Sequence, residues 1–221
     1  MVDGAFPSSG DAMHQDTVLH VLYLVAISAE AMTAALVAGR KEMDWFGVCV
    51  VASVTALGGG TLRDLLLGHH PLSWIARPEY LLITVTAALA MAFVAPYMRR
   101  LRKVFLTLDA IGLVVFTVIG CNVAMSLQMP VLIVVVAGMV TGCAGGVLRD
   151  MLCGQVPLLL QKELYASVSL LTGVLYLGLG RTPLAHGAVL GLAMAAGFVL
   201  RMLAIRRGWN MPRFVYRAEW D

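Results

Sequence analysis

The chain has 221 residues, of which 60% are hydrophobic and 13% charged, with a formal net charge of +3 and a mean hydropathy of +0.85. Soluble domains are about a quarter charged and roughly half apolar, so a water-soluble globular domain is excluded, and the few basic residues form no nucleic-acid stripe. An all-α integral membrane protein follows, because the apolar residues come in runs near the ~20 that a helix needs to cross the hydrocarbon core.

Residues 1–16 are a polar N-terminal tail with Asp3, Asp11 and Asp16 but no Lys or Arg. Such a tail lacks the positive segment of a cleavable signal peptide, so the first apolar run is expected to be retained. Seven transmembrane helices are predicted, over 17–38, 45–67, 79–98, 103–127, 130–153, 164–180 and 183–205. Pro78 and Pro183 stand at or just before the starts of their spans, where a missing N–H does least harm. Residues 206–221 form a basic and aromatic C-terminal tail, whose Trp, Phe, Tyr and Arg from Trp209 onward read as an interfacial anchor. Cys49, Cys121, Cys143 and Cys153 lie in or beside apolar runs without metal-ligand spacing. They read as small buried hydrophobes, with no disulfide.

Charge sets the expected orientation. With the N-terminus outside, twelve basic residues fall in inside segments: Arg40, Lys41, Arg99, Arg100, Arg102, Lys103, Lys162, Arg201, Arg206, Arg207, Arg213 and Arg217. Only Arg77 and Arg181 fall outside, which predicts an outside N-terminus and a cytoplasmic C-terminus.

One stretch occurs twice. Thr55, Gly59, Gly60, Arg63, Asp64, Gly68 and Pro71 are echoed by Thr141, Gly145, Gly146, Arg149, Asp150, Gly154 and Pro157 at a constant offset of 86 residues, while Gly58 meets Ala144. The offset also aligns Tyr23, Ala26 and Glu30 of span one with Asp109, Gly112 and Phe116 of span four. Each copy therefore holds three spans, repeat one at 17–98 and repeat two at 103–180. An odd number of crossings inverts the second copy, an arrangement that places a transport site near the midplane where the repeats meet. The seventh span, 183–205, stands outside the repeat, and its Gly187, Gly191, Ala195 and Gly197 suit close packing, including packing between subunits.

The motif has a transport reading and a packing reading. Gly58, Gly59 and Gly60, with Gly142, Gly145 and Gly146, predict breaks or kinks in spans two and five. A break would free carbonyls for a monovalent cation and expose a half-helix N-terminus to a carboxylate; otherwise the glycines simply let helices approach. Thr55 and Thr141 would line a pore or bond their own preceding turn. Arg63–Asp64 and Arg149–Asp150 are neighbours on a helix that should face different ways, and so need partners elsewhere. Asp109 and Arg149 share the inner ends of their spans and can pair, as gating groups or structural locks. Glu30, mid-span, is a candidate ion, proton or substrate site, or the partner of an in-membrane Arg. His69 and His70 read as a solvated loop. No Ser-His-Asp set, phosphate loop or HExxH segment is present, so neither an enzyme nor a cofactor is expected.

Taken together, the doubled Gly-Gly-Gly-x-x-Arg-Asp pattern and the segment Ala38-Gly39-Arg40-Lys41-x-Met43-Asp44-x-Phe46-Gly47-Val48 resemble the TRIC family, the trimeric intracellular cation channels, in its prokaryotic branch. The resemblance covers roughly 20–207. It implies a homotrimer in the bacterial inner membrane, surrounded by lipid and without nucleic-acid partners. Each protomer would hold an hourglass pore between kinked spans two and five that conducts potassium and, to a lesser degree, sodium. The same family domain is associated with glycine transport, which gives a second reading, a carrier for a small zwitterion at the same site. Tyr23 in place of an Asp, and Ala144 in place of a glycine, make the halves unequal.

Overall fold

The computed structural model describes residues 9–161 and 164–209, and among these every regular element is helical. In chain order the helices are α1 (Ser9–Arg40), α2 (Trp45–Leu67), α3 (Ser73–Ala76), α4 (Glu79–Val94), α5 (Leu101–Ser126), α6 (Val131–Leu152), α7 (Leu158–Gln161), α8 (Tyr165–Leu179) and α9 (His186–Arg207). A 3₁₀ turn, Ala95–Tyr97, extends α4.

Six of them are long and apolar enough to cross a membrane: Thr17–Arg40 of α1, α2, α4 with its 3₁₀ turn, α5, α6 and α9. The remaining predicted span is α8, with 15 residues. At 1.5 Å per residue it reaches about 22 Å, short of a ~30 Å hydrocarbon core. Two further departures are the start of α1 at Ser9, inside the predicted tail, and the unpredicted one-turn helices α3 and α7. Residues 1–8, Lys162, Glu163 and the tail from 210 lie outside the described residues.

The packing falls into two matching sets. Contacts of α1 with α2, of α1 with α4 and of α2 with α4 are paralleled by those of α5 with α6, α5 with α8 and α6 with α8. The sets join through α1–α5 and α2–α6, and α9 covers α5 and α8. Apolar burial does not drive helices together inside lipid, so close van der Waals fit must do so. The sequence supplies that fit with small residues: Ala26, Ala31, Ala34 and Ala38 of α1 are completely buried. Large apolar side chains such as Phe46, Leu82 and Leu132 instead remain 70–77% exposed on the outer surface.

Helix ends are set locally. The Asp44 carboxylate accepts from Gly47 N at 2.7 Å and starts α2, as an N-cap acid does. Gly68 and Gly154, 86 residues apart, follow α2 and α6 with φ of 65° and 61°, the left-handed region where glycine carries no Cβ penalty.

Candidate functional site

The α2–α6 contact is built on two glycines. A Cβ at Gly59 would strike the Thr141 carbonyl, and one at Gly145 would strike the Thr55 carbonyl. The 86-residue offset exchanges these two contacts. Backbone thus meets backbone where the two copies of the motif cross. Both helices run through their glycines without interruption, which corrects the expectation of breaks. Since the α-helix hydrogen-bond ladder is intact, no carbonyls are freed for a cation and no half-helix N-terminus is exposed.

The other candidate glycines serve different neighbours. Gly58 lies under the Leu148 side chain, Gly142 packs on the Leu113 carbonyl and Thr117 of α5, and Gly146 faces Tyr165 and Arg149. Gly60 has only Arg63 Nη2 nearby, 3.7 Å from where a Cβ would sit. Thr55 and Thr141 are buried, and each hydroxyl donates to its own i−4 carbonyl, Val51 O at 2.7 Å and Ala137 O at 2.6 Å. Of their two readings, the structure holds the local bond.

One turn beyond the crossing along α2, Arg63 Nε and Nη2 donate to Asp64 Oδ1 at 2.9 and 2.6 Å. The pair therefore does bridge, against the sequence expectation. The long guanidinium arm reaches back around the helix, and burial removes competing water; both residues are at most 2% exposed. Asp64 Oδ2 accepts from Ser73 N and Oγ at 3.1 and 2.8 Å, fastening α3, and Arg63 Nη2 donates to Ser73 Oγ at 3.2 Å. His69 Nδ1 lies 3.1 Å from Asp64 Oδ1, so this partly exposed loop histidine also touches the cluster.

The second copy repeats the device and enlarges it. Arg149 Nε donates to Asp150 Oδ1 at 2.9 Å, while Leu158 N donates to Asp150 Oδ2 at 2.9 Å at the start of α7. Arg149 Nη1 donates to Asp109 Oδ1 and to Thr33 Oγ1, both at 3.0 Å, and lies 3.7 Å from Glu30 Oε2. Its guanidinium stands 4.7 Å from the Phe105 ring centre. Asp109 also accepts from Tyr165 OH at 3.3 Å, and its Oδ2 lies 3.7 Å from Arg201 Nη2. Arg201 in turn covers the Tyr165 ring at 4.6 Å. Helices α1, α5, α6, α8 and α9 thus meet at one fully buried charged cluster.

The structure brings Glu30, Asp109, Arg149 and Asp150 together, holds Arg63 and Asp64 in a separate cluster, and puts Thr55, Thr141, Gly59 and Gly145 between α2 and α6. Four participants were not foreseen: Thr33, Ser73, Tyr165 and Arg201. Arg201 had been assigned to the inside segments by charge, yet it is completely buried; its place within 183–205 was the available signal. For Ser73 the signal was weaker, a left-handed cap glycine with a proline soon after, which turns the chain back onto Asp64. Among the described residues no group of three His, Cys, Asp or Glu is arranged to hold a metal.

Comparison with known proteins follows this geometry closely. The family described as Glycine transporter matches residues 20–96 and 106–181, two segments whose first residues lie 86 apart. A UPF0126 membrane protein of Vibrio cholerae is 38% identical over 203 residues, covering 90% of this chain and 83% of its own length. The UPF0126 inner membrane protein YadS of Escherichia coli K12 is 36% identical over 197 residues, with 87% and 94% covered. Among solved structures, the TRIC trimeric intracellular cation channel orthologue from Rhodobacter sphaeroides is 35% identical with a TM-score of 0.83. That likeness covers 87% of this chain and 100% of the solved one.

Proposed function

This chain belongs to the family described as Glycine transporter, the prokaryotic branch of the TRIC proteins, and from that premise we propose that it is a channel for monovalent cations, chiefly potassium. The likeness to a solved cation channel over nearly the whole chain is the observation that carries this reading. The conduction path in this reading runs between α2 and α6, and the close contact of Gly59 and Gly145 with the opposite carbonyls supports a constriction there. Arg63 with Asp64 on one side, and Arg149 with Asp109 and Asp150 on the other, lock the two helices and act as gating groups.

Seven passes, with α7 and α8 together making the sixth, complete an inverted three-plus-three repeat. The exchanged glycine contacts and the two offset family matches support it. In this reading α2 and α6 kink at their glycines without breaking. The chain works as a homotrimer in the inner membrane, N-terminus outside and C-terminus in the cytoplasm. Moving Arg201 into the buried cluster leaves eleven inside basic residues against two outside, still a strong bias.

A second reading, a glycine carrier at the same site, is favoured by the family's description. The two are separated by flux into proteoliposomes of the purified protein, with potassium and radiolabelled glycine followed side by side. The channel reading expects potassium flux that does not saturate and no concentrative glycine uptake. Saturable glycine uptake without potassium current would overturn it.

A further inference from the structure

The charged cluster around Arg149 does not balance. Among the described residues, two guanidinium groups, Arg149 and Arg201, face three carboxyl groups, Glu30, Asp109 and Asp150, and each of these five residues is at most 3% exposed. With all five ionised the cluster carries one net negative charge inside the membrane, a costly state, and arginine cannot shed its proton to change it.

Glu30 is the member least held as an anion. Asp109 accepts from Arg149 and Tyr165 and lies against Arg201, and Asp150 accepts from Arg149 Nε and Leu158 N. Glu30 Oε2 stands 3.7 Å from Arg149, beyond hydrogen-bond reach. Its Oε1 is buried against Gly112 with no hydrogen-bond partner among the described residues.

Thr33 shows where a proton fits. Its hydroxyl has one hydrogen, and the shorter of its two contacts with Glu30, 2.8 Å, is to the main-chain carbonyl. Arg149 Nη1 donates to the Thr33 hydroxyl oxygen at 3.0 Å. Thr33 Oγ1 also lies within donating distance of Glu30 Oε2, at 3.2 Å; with its single hydrogen given to the main-chain carbonyl, the same contact is met by a hydrogen on Glu30 donated to Thr33. The other helices packed on α1 add no competing charge. On α2, Arg63 and Asp64 are engaged with each other and with Ser73, and on α4 Tyr80 faces His20 and Arg77.

We propose that Glu30 is an exchangeable proton site and that its protonation state gates the path between α2 and α6. The protonated form balances the cluster and corresponds to the close α2–α6 contact at Gly59 and Gly145. When the proton leaves to solvent, the new carboxylate competes with Asp109 for Arg149, which is anchored one turn from Gly145 on α6, and the crossing loosens. The proposal rests on the transport reading and adds its regulation.

The test is potassium flux in proteoliposomes over an acid-to-alkaline series, for wild type and Glu30→Gln, with infrared difference spectra of the same samples. Gln keeps the shape and the donor of a protonated Glu. Wild-type flux is expected to rise with pH, by up to about tenfold per pH unit as one proton is released. Glu30→Gln, with unchanged thermal stability, should stay at the low-pH level throughout. The spectra should show a protonated-carboxyl C=O band in wild type that the variant lacks. The same pH profile in both proteins, or no band lost in the variant, overturns the proposal. Absence of potassium flux in wild type at every pH would instead count against the channel reading, while the infrared band still decides whether Glu30 holds a proton.

Discussion

At the scale of single residues, Asp109 is the hub, since it faces both Arg149 and Arg201. A surface ion pair is worth about 0–1 kcal/mol, but removing one partner of a buried pair strands the other charge and costs on the order of 3–5 kcal/mol. Asp109→Asn is therefore expected to destabilise the protein in detergent by about that amount, measured as loss of thermal stability. A double-mutant cycle with Arg201→Met should return a coupling of roughly 1–3 kcal/mol; strictly additive effects would mean the 3.7 Å contact carries nothing. How much of this was legible varied by residue. The depth of Asp109 and Arg149 in their spans could be read from the sequence, and they lie 3.0 Å apart. The Arg63–Asp64 bridge could not, because the rule for helix neighbours follows Cβ directions and ignores how far a guanidinium bends back. Arg201 was hidden by its position among the basic residues that mark the inner side.

At the scale of elements, the glycines of the motif are not equivalent. Gly59 and Gly145 sit against opposite carbonyls, so a methyl group at either must push α2 from α6. A Cβ at Gly60 would meet only Arg63 Nη2, at an ordinary contact distance of 3.7 Å. Gly59→Ala and Gly145→Ala should lower thermal stability by similar amounts, whereas Gly60→Ala should be neutral or stabilising by up to about 1 kcal/mol, as helix propensity predicts. Equal effects at all three would show that the glycines act through helix propensity alone. The helices themselves were readable from the lengths of the apolar runs. The uninterrupted course of α2 and α6 was not, because glycine clusters suit both a break and a close crossing, and the partner surface that chooses between them lies 86 residues away. The short helices α3 and α7 escaped for a related reason: they are held by Asp64 and Asp150 across a turn rather than by any local pattern.

At the scale of the whole molecule, the duplication explains why two similar clusters flank one crossing and why they differ. Tyr23 occupies the place of Asp109 and packs on Tyr80 at 4.7 Å, so the first cluster has no second acid for Arg63. Glu30 occupies the place of Phe116, so the second cluster has one acid too many. The inverted repeat proposed above fixes the sides of the loops. In a cysteine-free background, Arg99→Cys is expected to react with a membrane-impermeant maleimide only from the cytoplasmic side, and Arg181→Cys only from outside. Labelling of both from one side would contradict the inverted repeat.

The central claim is that the α2–α6 crossing is the conduction path, and unitary currents in planar bilayers test it most directly. Wild-type protein in symmetric potassium chloride should give discrete openings, and Gly59→Leu, purified at the same oligomeric size, should change their size or frequency because its side chain parts α2 from α6. Openings of equal size and frequency in both proteins would place the path elsewhere and contradict the account.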